Sequence, residues 1–588
     1  MLEGMNHFAK NPTTIKINRS AFNRPSTYKT TFRSGDLVPV FCDEVLPGDT
    51  FKLNPSFVLR NLTPLVPVMD NAYIDFYFFY VPNRIIAPWN MDDWEVIQGA
   101  NKSGYWTNDT EKSITPRQIS GEIVGNHSVA NYFGLPIGCD VKNINPYPLI
   151  AYAMIFDEWF RDQNVQAPIL TTKSGSFIEN LITEFYGDDS CLVVNKFHDL
   201  FTSCLPAPQK GPSVLLPIGD SAPIVSSDVD SSLGKLIVNG SPYDFTKDTG
   251  TTLQFLSPGI QNNLDAIYKA LPLYLTRTST SQPNNTASVA FDSTMQTTTL
   301  AEQSTRGIQG SNLYVNLENL SADLSAATAA TINQLRQAFA IQRLFERDAR
   351  GGTRYREILL SHFGVSVADS RVQVPEYLGG KRIPINIAQV LQTAPAAATG
   401  DTPLGFTGAF SNTSDSFGGF VKSFVEHGYV IGVACVRTLQ SYSQGIPKLF
   451  TRRKRFDFYM PEFATIGEQP IFKYELFSGN TVDLASETEP EVFGYQEAWA
   501  HYRYKPSMIT GSLAPNSDDN SFVPWTYTND FSKAPTLNEE FMKQTGTNVA
   551  KTLVNPATAD QYLIDIYFDL NCVRPMPVYS IPGLIDHY

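Results

Sequence analysis

The chain has 588 residues, 42% of them hydrophobic and 18% charged, which is enough for a sizeable core and excludes global disorder. Its 38 glycines and 39 prolines are close to average usage, which excludes a collagen-like or low-complexity fibre. The formal net charge of −13 is mildly acidic, so bulk electrostatics do not indicate a nucleic-acid-binding protein.

The first segment is basic although the chain as a whole is acidic. Its only acid before position 34 is Glu3, whereas six residues are basic: Lys10, Lys16, Arg19, Arg24, Lys29 and Arg33. Residues 1–36 therefore form a basic arm that can lie along phosphates; a solvated flexible terminus is the alternative interpretation. The arm has no apolar signal-like segment, and no apolar run in the chain approaches the ~18 residues of a membrane span. We expect cytoplasmic synthesis without membrane insertion.

Strand and helix patterns follow in the first half of the chain. Residues 37–53 predict two short strands around Pro47, Gly48 and Asp49, and residues 72–81 predict a strand that is covered on both faces. Residues 148–162 carry an apolar stripe at helical spacing behind a proline and predict a helix. Residues 220–310 differ, because they are rich in serine, threonine and asparagine, which is typical of a functional or mobile insertion.

A helix with an arginine face is predicted over residues 331–350. At 100° per residue the apolar side chains gather opposite a narrow basic sector of four arginines: Arg336, Arg343, Arg347 and Arg350. The apolar face is expected to be core, and Gly351 and Gly352 end the helix. Because Glu346 and Asp348 are close by, ion pairs between subunits are at least as good an interpretation of the arginines as phosphate contacts.

Three further strands are predicted towards the end of the chain, over residues 425–439, 471–477 and 562–571. The first contains Gly428 and Gly432 at positions suited to bulges or close backbone approach. The last alternates apolar and polar residues and is the clearest half-buried strand. Strong strands at both ends and in the middle favour antiparallel sheets built from sequence-distant strands, as in a Greek-key sandwich.

Residues 452–455 form the densest basic run, with aromatic residues directly after it. The run consists of Arg452, Arg453, Lys454 and Arg455. Cations on phosphates with aromatic rings on bases are how proteins hold single strands without sequence preference. A solvated or subunit-contacting charge run is the alternative interpretation.

Catalytic, cofactor and metal motifs are missing from the sequence. No GxSxG, HExxH, GxxxxGK[ST] or GxGxxG occurs, and the six scattered cysteines show no metal-ligand spacing. The cysteines are expected to be reduced core residues. The sequence therefore predicts no catalytic residues, no cofactor and no metal.

Residues 338–380, AFAIQRLFERDARGGTRYREILLSHFGVSVADSRVQVPEYLGG, are the most specific family signature in the chain. Together with further motifs in order, the segment resembles the major capsid protein of gokushovirus-type microviruses, small bacteriophages with single-stranded DNA. The further motifs are LVPV at 37–40, DEVLPGDTF at 43–51, FTSCLP at 201–206, FGYQE at 493–497 and VYSIPGLIDHY at 578–588.

The resemblance implies a mainly β fold with a single eight-stranded antiparallel jelly roll over residues 37–588, interrupted by long insertions with helices and loops. Residues 220–310 would form a surface protrusion used in host attachment, and residues 331–380 a second insertion with the arginine-striped helix. The function implied is a coat protein that assembles in the host cytoplasm into a T=1 icosahedral shell of the virion around circular single-stranded DNA. The implied partners are further copies, the DNA, other virion or scaffolding proteins and a host receptor.

Two other functions are compatible with the same patterns. A phage spike or adhesin would also expose a polar insertion such as residues 220–310, and it would form isolated trimers or fibres instead of shells. A carbohydrate-active β-sandwich enzyme would need a carboxylate pair that is defined only in space.

Overall fold

The structure is a computed structural model and describes residues 18–98, 100, 112–117, 123–214, 332–393, 405, 407–479, 490–515, 520–555 and 560–579, with nine short strands between 224 and 322. The chain divides into two compact units. One comprises Met1–Pro212 with Arg343–Tyr588, and the other comprises Ser213–Gln342.

Strands dominate the described residues. In chain order they are β1 (Ser20–Asn23), β2 (Ser26–Phe32), β3 (Val38–Val45), β4 (Thr50–Asn61), β5 (Ala72–Pro82), β6 (Ile224–Ser226), β7 (Leu236–Val238), β8 (Ser241–Pro242), β9 (Thr252–Leu256), β10 (Leu273–Thr278), β11 (Asn285–Phe291), β12 (Thr298–Ala301), β13 (Asn312–Val315), β14 (Leu320–Ala322), β15 (Glu376–Pro384), β16 (Ile387–Leu391), β17 (Thr407–Ser411), β18 (Thr413–Ser416), β19 (Phe420–Ser423), β20 (Gly428–Thr438), β21 (Ser441–Tyr442), β22 (Glu468–Phe472), β23 (Val492–Glu497), β24 (Ser507–Met508) and β25 (Tyr562–Arg574).

Helices occur between the strands and are mostly short. They are α1 (Asn83–Ile86), α2 (Trp94–Ile97), α3 (Val129–Tyr132), α4 (Tyr147–Ile155), α5 (Gly175–Tyr186), α6 (Ile332–Arg350), α7 (Tyr355–Phe363), α8 (Asp369–Val372), α9 (Ala500–Arg503), α10 (Glu539–Met542) and α11 (Thr547–Ala550). A π-helical turn at Phe156–Phe160 follows α4, and 3₁₀ turns lie at Ala87–Asn90, Lys448–Phe450, Arg455–Asp457, Pro461–Phe463, Lys473–Glu475, Gly511–Leu513 and Asn520–Trp525.

Two antiparallel sheets form the centre of the larger unit. In sheet one, β25 lies between β4 and the pair β1 and β2, and β18 and β19 both pair with the other edge of β4. Sheet two has the order β15–β5–β20–β3. Every strand pair in these sheets is antiparallel. The fold is therefore mainly β, as expected for a viral capsid β-sandwich.

Aromatic side chains join the two sheets face to face. Phe57 on β4 lies 4.9 Å from Phe76 on β5 between ring centroids, and Phe568 on β25 lies 5.0 Å from Phe41 on β3. Phe76 is almost completely buried. Burying a phenylalanine side chain contributes about 1.5–3 kcal/mol, so each buried ring of these pairs stabilises the contact between the sheets.

Helices cover the outer face of sheet two. Phe79 on β5 contacts Trp159 of the π-helical turn at 5.4 Å between ring centroids, and the Tyr152 hydroxyl on α4 donates to the Leu37 carbonyl at 2.7 Å. Helix α4 was predicted to have one apolar stripe, but it is buried nearly all round because it packs among β20, α1 and α5. Its start one residue before the predicted proline agrees with the preference of proline for the first turn.

The smaller unit contains its own antiparallel sheet. Its seven strands have the order β8–β7–β13–β12–β11–β10–β9, and β6 pairs separately with β14. This unit contains the polar segment over residues 220–310 that composition distinguished from the rest of the chain.

Most of the predicted strands are confirmed. Strand β25 alternates buried and exposed positions, and β5 is buried on both faces. The prediction for residues 471–477 is wrong in its second half, because β22 ends at Phe472 and the Glu475 carboxylate turns back to accept the Phe472 N–H at 3.2 Å. All six cysteines are free; four are buried, but Cys42 and Cys139 are exposed and were wrongly assigned to the core.

The two glycines of β20 lie where the neighbouring strands approach the backbone closely. A Cβ atom at Gly432 would lie 2.7 Å from the Phe78 ring, and one at Gly428 would lie 2.5 Å from the Val81 carbonyl oxygen. The pairing of β20 with β3 also shifts register directly after Gly432. Close approach was the predicted reason for these glycines, and it is confirmed.

We predict that Gly432→Ala lowers the free energy of unfolding by about 1–3 kcal/mol, because the added methyl group overpacks the Phe78 ring. Gly418→Ala is the matched control, since a Cβ atom there meets nothing within 4 Å. Denaturant unfolding of both variants measures the difference. Equal stability of the two variants would contradict this account of Gly432.

Candidate nucleic-acid interface

The described part of the basic arm belongs to sheet one, and its cations are mostly paired. Lys29 lies 3.1 Å from Asp565 and Arg33 lies 3.1 Å from Asp36, while Arg24 pairs with Asp43. Arg19 is exposed, and Lys10 and Lys16 lie outside the described residues. Asp43 and Asp565 lie on other strands, whereas Asp36 is three residues after Arg33, and together they largely neutralise the arm's charge where the structure describes it.

Residues 452–455 form a fixed loop that presents three exposed cations. The Asp457 carboxylate accepts the backbone N–H groups of Arg453 and Lys454, each at 2.7 Å. These hydrogen bonds to its ionised form hold the pKa of Asp457 below its usual range. The side chains of Arg453, Lys454 and Arg455 are exposed, and none of them has an ion pair with a described carboxylate.

Exposed aromatic rings stand next to these cations. Phe456 is 66% exposed and Phe458 50%, values that are unusual for phenylalanine. The Arg452 guanidinium lies 4.2 Å from the centroid of the Tyr502 ring, and Tyr459 contacts the same ring at 6.3 Å. We call residues 452–459 together with Tyr502 the aromatic–basic surface. It combines free cations with rings, which are the two groups that bind single-stranded nucleic acid.

A buried carboxylate ties together the segments on either side of this surface. Glu475 accepts Lys448 Nζ at 2.9 Å and is 2.7 Å from His501 Nε2. Burial opposes ionisation of Glu475, but the His501 hydrogen bond and the Lys448 charge outweigh it, so its pKa lies below the ordinary value. Because Lys448 precedes the basic run and His501 precedes Tyr502, the pair network fixes both parts of the surface.

The arginine stripe lies on helix α6 as predicted. Arg336, Arg343, Arg347 and Arg350 are exposed, and the opposite face is only half-buried, so its expected assignment to the core is wrong for the described structure. Arg350 pairs with Glu468, whose side chain is 1% exposed. This arginine is therefore bound within its own subunit.

The contribution of Tyr502 to the aromatic–basic surface was not predicted. Nothing in the local pattern around residues 452–459 shows that a ring from α9 packs against Arg452. Arg452 and Tyr502 are far apart in sequence, and only the tertiary fold brings them together. A sequence signal for this contact would have to link such distant residues in pairs.

The part of the chain that the structure describes contains neither a metal-binding group of side chains nor a membrane-spanning helix. No three histidine, cysteine, aspartate or glutamate side chains are grouped there so as to hold a metal ion. No helix among those residues is long and apolar enough to cross a membrane.

Two facing antiparallel sheets are consistent with the β-sandwich class to which viral coat proteins belong. Residues 11–584 match the family described as capsid protein (F protein), and the chain belongs to this family. It is therefore a structural, non-enzymatic component of a virion, whose subunits associate into a shell.

Similar proteins cover nearly the whole chain. Capsid protein VP1 of Chlamydia phage 1 is 36% identical over 98% of both chains, and capsid protein VP1 of Bdellovibrio phage phiMH2K is 38% identical over 99% of this chain and 98% of its own. Capsid protein VP1 of Spiroplasma virus 4 is 33% identical over 97% of this chain and 96% of its own. The resemblance to gokushovirus major capsid proteins is thereby confirmed.

Proposed function

We propose that this capsid protein closes into a T=1 icosahedral shell around circular single-stranded DNA, with an eight-stranded jelly roll as the wall of each subunit. The order of strands carries this proposal. If β1 with β2, and β18 with β19, each count as one interrupted strand, eight strands remain, four in each sheet. Successive strands change sheet at every step except from β5 to β15, which both lie in sheet two. That order is the connectivity of a jelly roll.

The shell proposal is tested by electron microscopy of particles formed by the full-length protein. We expect closed shells with icosahedral symmetry and 60 copies, the number that T=1 symmetry requires. Isolated trimers or fibres would contradict the shell and favour the spike or adhesin function. Assembly in the host cytoplasm and engagement of scaffolding or other virion proteins belong to the same proposal.

Subunit contact is the role we propose for the arginine face of α6. Arg343 and Arg347 are exposed and have no ion pair with a described carboxylate, whereas Arg350 already pairs with Glu468. Together with Arg336, they form a rigid row of planar donors suited to carboxylates of a neighbouring copy. Charge of this kind sets register, while apolar contacts provide most of the association energy.

The aromatic–basic surface is our proposed contact with the packaged DNA, together with the basic arm including Lys10, Lys16 and Arg19. Exposed guanidinium and ammonium groups neutralise phosphates, and Phe456 and Phe458 offer faces on which bases stack. The internal pairs of Arg24, Lys29 and Arg33 make these three weaker candidates than residues 453–455.

Neutralising this surface should reduce packaged DNA while shells still form. For Arg453→Gln, Lys454→Gln and Arg455→Gln combined, we expect a lower DNA-to-protein ratio in purified particles, and the slope of log affinity for single-stranded DNA against log salt should fall by about 2. A variant with the same charge loss at exposed Lys52, Arg60 and Lys533 is the control. Unchanged DNA content in the first variant would remove the surface from the DNA sites.

Host attachment is a second function that we propose for the smaller unit. Its separate seven-stranded sheet favours this assignment, because a module with its own sheet can protrude without contributing to the wall. The polar composition of residues 220–310 suits a surface that meets solvent and a receptor.

Deleting residues 220–310 should leave closed particles but abolish adsorption to host cells. Particle formation is measured by electron microscopy and adsorption by depletion of particles from solution by cells. The full-length particle is the reference in both measurements. If the deletion abolishes shells, the insertion is structural, and the attachment proposal loses its basis.

A further inference from the structure

A cavity of about 870 Å³ lies beside the outer face of sheet two and shares no residue with the aromatic–basic surface. Its lining comes from the π-helical turn and the residues after it, from residues 195–205, from the end of α6 and from strands β15 and β20. Basic side chains outnumber acidic ones in the lining: Arg161, Lys196, Arg350, Arg354, Arg382 and Arg437 against Asp162 and Glu357.

One carboxylate serves two guanidinium groups in the wall of this cavity. Asp75 accepts Arg382 Nε at 2.7 Å and Arg437 Nε at 3.1 Å. The Phe197 ring lies under both guanidinium groups, 4.3 Å from Arg382 and 4.4 Å from Arg437. Since Asp75 and Tyr77 engage only Nε and Nη2, Nη1 of each arginine has no bond to a described residue. This part of the wall is therefore net positive and retains free donors.

Lys196 adds a further positive charge next to Phe197. Its side chain is nearly buried, and its ammonium lies 4.7 Å from the centroid of the Phe541 ring. No described carboxylate lies within ion-pair distance of the ammonium, and no described acceptor bonds to it. Burial lowers the pKa of Lys196 to about 8, while the more distant Asp199 acts in the opposite direction. A buried cation without a counter-ion is costly, so an anion at this place would stabilise it.

The other charged groups of the lining do not supply that counter-ion. Asp162 accepts the Asn164 N–H at 2.8 Å, and Glu357 accepts Arg354 Nη1 at 3.2 Å. Arg161 and Arg354 are also engaged, because Nε of Arg161 lies 3.5 Å from Asp157 and Nε of Arg354 lies 3.9 Å from Glu158. The donors left for a ligand are therefore Lys196 Nζ and Nη1 of Arg382 and Arg437, and both lining carboxylates are already engaged.

We propose that this cavity binds an oxyanion of the phosphate class, held by Lys196 Nζ and by Nη1 of Arg382 and Arg437. Phosphate oxygens accept several charged donors at once, and planar guanidinium groups match their geometry. Phe197 lies against the two guanidinium groups and Phe541 against the ammonium, and such apolar neighbours lower the local dielectric and strengthen the attraction. The anion is either a free phosphate ion or a phosphodiester of a nucleic acid, and the site does not depend on the aromatic–basic surface.

Amine labelling of the full-length protein at pH 8 tests the proposal. With inorganic phosphate at about ten times its dissociation constant and constant ionic strength, the labelling rate of Lys196 should fall about tenfold. Lys551 is the internal reference, because burial also lowers its pKa to about 8 but it does not line the cavity. An equal response of both lysines would overturn the proposal, since phosphate also stabilises proteins without binding a site.

Lys196→Met gives a second measurement that does not depend on labelling. Phosphate should raise the melting temperature of the unmodified protein and of Lys551→Met by more than that of Lys196→Met, because the stabilisation that needs no site is common to all three. A short oligothymidylate distinguishes the two sources of the oxyanion, and it is added to the variant that lacks the charges of residues 453–455. Protection of Lys196 by the oligonucleotide indicates a phosphodiester. Protection by inorganic phosphate alone indicates the free ion. Protection by neither overturns the proposal and leaves the DNA surface untouched.

Discussion

Strand β5 has no face in water, and the rest of the larger unit is arranged to cover both of its faces. Phe76 and Phe78 point into the space between the sheets, where they meet aromatic rings of sheet one. Tyr77 and Phe79 point the other way and contact Phe160. A two-layer sandwich would leave that second row in solvent. The helical insertion after β5 is therefore a third layer that the strand's own sequence requires.

A single polar residue interrupts this apolar strand and fixes its register. Asp75 is 1% exposed, lies opposite Arg382 of β15 and also bonds to Arg437 of β20. If either neighbouring strand slipped by one residue, one guanidinium would move to the opposite face of the sheet. Breaking a buried ion pair costs about 3–5 kcal/mol, whereas a slip among apolar residues alone is far less specific. The charge thus selects one pairing, and aromatic burial provides the stability.

Local periodicity predicted the elements whose burial is regular. Strand β25 alternates over its whole length, β5 is apolar on both faces, and α6 has a 3.6-residue period, so each was identified from the sequence. Elements that pack against segments distant in sequence were not predicted correctly. The early end of β22 depends on Glu475 finding Lys448 and His501, and the complete burial of α4 depends on packing partners on several elements. Periodicity reports how much of a residue is covered, but it does not identify the partner.

The sequence also does not identify the partners of charged residues, and the two candidate DNA-binding surfaces differ in whether such partners are present. Lys29 looked as free in the sequence as Lys454 and Arg455, yet the fold pairs it with Asp565, and it pairs Arg33 with Asp189 in addition to the nearby Asp36. Paired cations at a surface contribute little to binding a new anion, because they must first give up a carboxylate. A chain with a net charge of −13 can therefore still bind DNA, provided that its unpaired cations are concentrated where aromatic rings are exposed. What decides the site is the local balance of charge, and only the tertiary fold sets that balance.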